Sequence, residues 1–173
     1  MALGSPNVLN YTVGKGVVYF RKSGQADFRH LGNCPSFEFT PEIEKLDHFS
    51  SQSGVRSKDR TIVLEKKGTL RIVMEEITPE NLALALLGAV SAGDSGGDEN
   101  ISIFSASEIA GEVKFVGTND VGAKYTWDFL SVSFIPGSAI NPISDEWMQL
   151  EITGEVAAVS GVFGTVTKTA DGA

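Results

Sequence analysis

Apolar and polar residues alternate with a period of two along much of this chain. In "SFEFTPEIEK", residues 36–45, Phe37, Phe39 and Ile43 share one parity, and Glu38, Thr40, Glu42 and Glu44 share the other. A strand with this pattern has an apolar face and a face of carboxylates. The pattern recurs twice. Leu70, Ile72 and Met74 oppose Thr69, Arg71 and Glu75, while Met148, Leu150, Ile152 and Val156 oppose Gln149, Glu151, Thr153 and Glu155. Strands are predicted over 16–22, 36–46, 60–77, 111–117, 124–136 and 146–159, all β-branched, aromatic or alternating. Gly, Ser, Asn and Asp punctuate them. Between Tyr125 and Ile135 the phase slips: Tyr125, Trp127 and Phe129 share a parity, but Leu130, Val132 and Phe134 continue on the other. Either a bulge near Phe129 or burial of both faces reconciles them.

One helix is marked, "TPENLALALLG" over 78–88. Thr78 suits the cap, Pro79 the first helical position, Glu80 the positive end of the dipole and Gly88 the stop. Its Leu and Ala content covers most of its circumference, so it is expected to pack into a groove or a neighbour. Residues 1–13 read as an N-terminal arm, 46–60 as a long inter-strand loop, 91–100 as a loose acidic loop and 160–173 as a flexible C-terminal segment. The 46–60 loop is long for a strand connection, where ~2 to 5 residues is usual.

The length of 173 residues predicts a single domain, 1–173. A net charge of −8, from 14 basic and 22 acidic residues, argues against a surface that grips nucleic acid by counterion release. It does not exclude a surface that nucleic acid passes. No apolar run reaches the ~20 residues that span a bilayer, and the N-terminal residues lack the features of a secretory signal. Synthesis in a cytoplasm and no membrane partner are the expectation.

Candidate chemistry is sparse. Cys34 reads as a small residue at a strand start. His30 and His48 have no metal-ligand spacing with Cys34 or each other. "GVRSKDR" lacks the glycine spacing and ending of a phosphate loop, and "GKG" at 14–16 reads as a turn. Asp94, Asp98 and Glu99 offer hard-cation ligands but match no EF-hand spacing. Glu38 and Glu151 as a glycosidase pair would need a cleft, whereas these acids form rows. No enzyme activity and no cofactor are expected.

The order of features over residues 14–88 resembles the major tail tube protein of long-tailed, siphovirus-type bacteriophages. The resemblance is carried by "GKGVVYFRKSG", "FRHLGNCPSFEFTPEIEKLDHFSSQSGVRSKDR" and "TIVLEKKGTLRIVMEEITPENLALALLG". It implies a mainly β, two-sheet sandwich or barrel-like fold with one short flanking helix. Six copies would form a ring with a continuous inner β-barrel, and rings would stack into a virion tail tube. The implied role is a conduit for genome ejection. On that reading Glu38, Thr40, Glu42, Glu44, Gln149, Glu151, Thr153 and Glu155 line the bore, and double-stranded DNA passes without specific binding. Asp47, Phe49, Ser51, Gln52, Gly54, Arg56, Lys58 and Asp59 would form a loop that bridges stacked rings. Other implied partners are a tape-measure protein and tail-tip and tail-terminator proteins. Two alternatives remain at this point: a tube protein of a type VI-like secretion system, and a monomeric β-barrel that binds a ligand.

Overall fold

The structure is a computed structural model, described over residues 4–52 and 54–169. Strands dominate: β1 (Gly16–Lys22), β2 (Arg29–His30), β3 (Ser36–Ser50), β4 (Ser57–Met74), β5 (Val90–Ala92), β6 (Glu99–Ile101), β7 (Ile109–Gly117), β8 (Tyr125–Pro136), β9 (Leu150–Val156) and β10 (Gly164–Lys168). Among the described residues one α-helix, α1 (Pro79–Ala85), follows β4, and a 3-10 turn spans Val8–Asn10. The main sheet has the order β2-β1-β7-β8-β9-β4-β3, with β10 also on β8, and every pairing is antiparallel. The fold is therefore mainly β with one short flanking helix.

The phase slip in β8 organises this sheet. Gly111 pairs with Val132 and Val113 with Phe129, so Leu130 and Ser131 together face Glu112. That is a bulge, and it leaves Leu130 exposed while Phe129, Val132 and Phe134 stay buried. The opposite edge of β8 divides at the same place. Tyr125–Phe129 pair with β10, and Val132–Pro136 pair with β9. Beyond the division the sheet turns back on itself, because β3 side chains meet β7 and β8. Phe37 stacks on Phe115 at 5.1 Å, and Phe39 lies 5.0 Å from Phe129. The product is a barrel-like two-layer fold. Its core includes Val18, Phe20, Leu31, Leu70, Ile72, Met74, Phe134, Leu150 and Ile152.

The helix begins where the sequence signals it. The Thr78 hydroxyl accepts from the Asn81 N–H at 3.2 Å, with Pro79 just inside the first turn. Asn81 is buried and ties the helix to its surroundings. Its amide donates to Leu31 O and Glu76 O, and its Oδ1 accepts from Arg29 at 2.6 Å. Gly88 does not supply the left-handed stop. Leu87 takes that conformation at φ 48°, and the Gly88 N–H closes the end on Ala83 O. Gly88 is needed for space, since a Cβ there would lie 1.9 Å from Ser102 O.

Three expectations of loose chain change. Residues 46–60 are mostly strand: β3 and β4 pair from Ser36–Val73 out to Ser50–Ser57, leaving a short turn. The segment 91–100 is largely the β5–β6 hairpin. In 160–173, Gly164–Lys168 form β10, and 170–173 lie outside the described residues. The predicted strand 146–159 shortens to β9, so Gln149 precedes it.

Candidate functional site

Register places the predicted wall residues on one surface. Across β3 and β4, Glu38 is opposite Arg71, Thr40 opposite Thr69, Glu42 opposite Lys67 and Glu44 opposite Glu65. Across β4 and β9, Arg71 meets Thr153, Thr69 meets Glu155 and Val73 meets Glu151. Because side chains alternate, these residues share the face turned away from Leu70, Ile72 and Ile152. Gln149 sits at the margin and donates to Glu75 at 3.0 Å.

The face is acidic but not uniformly so. Strand β4 inserts cations between the two acidic rows. Arg71 donates to Glu38 at 3.0 Å and to Glu151 at 2.5 Å, and so clamps β3 to β9 across β4. The hydrogen bond to Glu151, ahead of the other effects, holds the Arg71 guanidinium above its ordinary pKa. Lys67 pairs with Glu65 at 3.0 Å, and that carboxylate likewise raises its pKa. Glu38, Glu42, Glu44, Glu65, Glu151 and Glu155 against Arg71 and Lys67 leave four net negative charges on this face.

Past Glu44 the same face carries Leu46 and Ile62, followed by His48 and Arg60. Pairing of β4 with β9 ends at Gly68–Val156, so residues 42–50 and 57–67 pair only with each other. They form a projecting hairpin arm whose nine β3 residues extend ~30 Å at ~3.4 Å each. Ile43, Leu46, Ile62, Val63 and Leu64 are all exposed on it. Burial of Ile43 in the core, expected from its parity with Phe37 and Phe39, does not occur. Register shifts at Glu44/Lys45 and at His48/Phe49 twist the arm.

Polar contacts stiffen the arm's end. The Thr61 hydroxyl donates to Asp47 at 2.6 Å, Lys58 pairs with Asp47 at 2.9 Å, and His48 Nδ1 lies 2.6 Å from Asp59. The Thr61 hydrogen bond, then Lys58, holds the Asp47 carboxyl below its ordinary value. Arg56 lies over the Phe49 ring at 5.5 Å. Ser51, Gln52 and Gly54 fall in the turn, where Gly54 has open space around it. The predicted loop residues are thus brought together, as a hairpin rather than a loop. Sequence reasoning missed Ile62, Val63 and Leu64 as surface, because they fall in the same predicted strand, 60–77, as Leu70, Ile72 and Met74.

The remaining candidates stay apart. Cys34 is half-buried, and burial, with Glu76 and Glu75 nearby, pushes its thiol up to about 11, so it stays protonated at neutral pH. His30 Nδ1 accepts from the Gly32 N–H, and its ring meets Tyr19 edge-on. Asp94, Asp98 and Glu99 lie on or beside the β5–β6 turn, and no cluster of three metal-capable side chains occurs among the described residues. Glu38 and Glu151 are bridged by Arg71 instead of facing across an open cleft.

Residues 11–99, just over half of the chain and including the whole arm, match the family described as Protein of unknown function UCP028589. The chain belongs to this family. No curated protein matches the sequence. Among solved structures, a chain of the anti-feeding prophage (AFP) baseplate, a six-fold symmetrised cryo-EM structure, aligns with a TM-score of 0.53 and 9% identity over 95% of this chain and 97% of that one. A chain from the tail of an empty GTA particle, refined with helical and C6 symmetry, aligns at 0.45 and 11% identity over 90% and 96%. This chain shares the fold of the baseplate chain.

Proposed function

We propose that this chain is a structural subunit of a tail tube, assembling into rings of six that stack into a conduit. The observation that carries the reading is the β3–β4 hairpin. One sheet packs its apolar face in the core, presents an acidic face, and continues into an apolar arm that the subunit leaves uncovered. A lone subunit with such an arm, and with β3 as a free edge 15 residues long, is suited to self-association. The shared fold with a component of a six-fold particle supports the same reading.

The acidic face then lines the bore. Duplex DNA carries about one negative charge per 1.7 Å of axis. A basic wall would hold it at many points by counterion release, whereas a weakly acidic wall repels it everywhere and lets it slide. The two cations on this face, Arg71 and Lys67, are held in ion pairs with wall glutamates, which leaves little positive charge there for phosphates. The arm bridges successive rings. Tape-measure, tail-tip and tail-terminator proteins are the further partners of such a tube, and the virion tail is its location.

A second reading, the tube of a contractile injection system, is favoured by the baseplate likeness and predicts the same subunit architecture. Sedimentation and negative-stain microscopy of the purified chain test both readings. Rings or tubes are expected at modest concentration. A stable 18.4 kDa species at high concentration, with no larger particles, contradicts both.

A further inference from the structure

Two uncovered apolar surfaces lie at opposite ends of one sheet. Strand β4 runs from the arm to Met74, and Met74 pairs with Leu150 at the start of β9. The connection from β8 to β9, residues 137–149, therefore lies at the end away from the arm. Ile140 and Met148 anchor this loop on the core. Between them Ile143 and Trp147 are 96% and 91% exposed. Asp145 and Glu146 precede Trp147, and neither forms an ion pair among the described residues. A polar hollow of about 190 Å³ beside Trp147 is lined in part by Asn141, Ser144 and Glu146.

The arm offers the complement. Leu46 and Ile62 are cross-strand neighbours on its wall-side face, with His48 and Arg60 next outward. Residues 45–60 carry Lys45, Arg56, Lys58 and Arg60 against Asp47 and Asp59, a net of +2 in a chain of −8. The 137–149 loop carries −2, from Asp145 and Glu146.

We propose that the 137–149 loop is the receiving surface for the arm of the next copy. Trp147 and Ile143 would pack on Leu46 and Ile62, while Arg56 and Arg60 face Asp145 and Glu146. The proposal rests on the tube reading and names the surface through which rings stack. Opposite charges favour this pairing over arm against arm or loop against loop, each of which would set like charges together. Placement at opposite ends makes the contact heterologous, so it propagates by stacking instead of closing into a pair. Reach is sufficient: the arm extends ~30 Å, and the seven residues of β9 span only ~24 Å. Exposed tryptophan flanked by charge is also the residue type that dominates protein contacts once desolvated.

The test uses the full chain. Trp147→Ser with Ile143→Ser alters two fully exposed side chains, so the melting temperature should stay unchanged while particles longer than one ring are lost. Asp145→Lys with Glu146→Lys should also block growth, and adding Arg56→Glu with Arg60→Glu to that chain should restore it. Tubes of normal length from the Trp147/Ile143 variant overturn this docking and leave the tube reading standing. Growth that stays blocked in the charge-swapped chain contradicts the ionic pairing. A wild-type chain that forms no rings overturns both readings.

Discussion

Strand β4 passes through two environments, and its two halves show how little composition says about burial. Its C-terminal half carries Leu70, Ile72 and Met74, each 0% exposed, against β9 and β3. Its N-terminal half carries Ile62, Val63 and Leu64, with Leu64 52% exposed. The residue types are alike; the neighbours differ. β9 ends at Val156 opposite Gly68, and beyond that point only β3 accompanies β4. A two-stranded ribbon has no second layer to bury against and is marginal in water by itself. Apolar residues on such a ribbon contribute little to the folded subunit, and their place is best explained by a contact outside it.

Substitution should separate the halves. Phe134→Ala, at the centre of the body and edge-on to Phe20 at 5.4 Å, removes a fully buried ring. It is expected to cost about 3–5 kcal/mol in urea unfolding. Leu46→Ser with Ile62→Ser, on the arm, should shift subunit stability by no more than about 0.5 kcal/mol for each change, yet abolish stacking. Equal destabilisation by the two variants would mean that the arm is packed in the free subunit.

A smaller effect is expected at the wall. Arg71→Met leaves Glu38 and Glu151 without their shared cation, and the rows of β3 and β9 then repel across β4. The melting temperature should fall modestly, and the fall should shrink as salt is added, since these charges are exposed to screening. A drop independent of salt would assign Arg71 a packing role instead.

The smallest effect concerns the arm's end. Asp47 is held below its ordinary 3.8 by Thr61 first and Lys58 second. A depressed carboxyl stabilises the fold above the unfolded value, and that contribution is lost as pH falls through the folded one. Acidification below 3.8 should therefore loosen the distal hairpin. Amide exchange near Thr61 should quicken relative to β9, and Asp47→Asn should remove the difference. Uniform quickening of both would assign the acid effect to the whole subunit.

Much of this was legible in the sequence, for identifiable reasons. Parity in β3 and β9 marked the residues of the shared acidic face, because a period of two admits one assignment of faces. The slip near Phe129 located the bulge that divides the sheet. Thr78, Pro79 and Glu80 marked the start of the helix, whereas its end was misread, because Leu87 tolerates a conformation normally left to glycine. The arm was misread as a loop: Ser50 to Arg60 is rich in turn-forming and charged residues, which ordinarily end strands. Those residues are tolerated because the arm is solvated on both faces and pairs only with itself. Exposure of Ile43, Ile62 and Val63 was invisible, since it depends on where β9 stops. Nothing in a linear pattern marks Ile143 and Trp147 as outward, because only the anchoring of Ile140 and Met148 turns them away.

On the proposed tube, the Glu38-to-Glu155 face looks into a bore. A cryo-EM reconstruction of particles assembled from the purified chain tests it most directly. Sixfold tubes are expected in which Glu38, Glu42, Glu44, Glu151 and Glu155 point to the axis. Tubes that carry these side chains on their outer surface, or a particle with no axial channel, would contradict it.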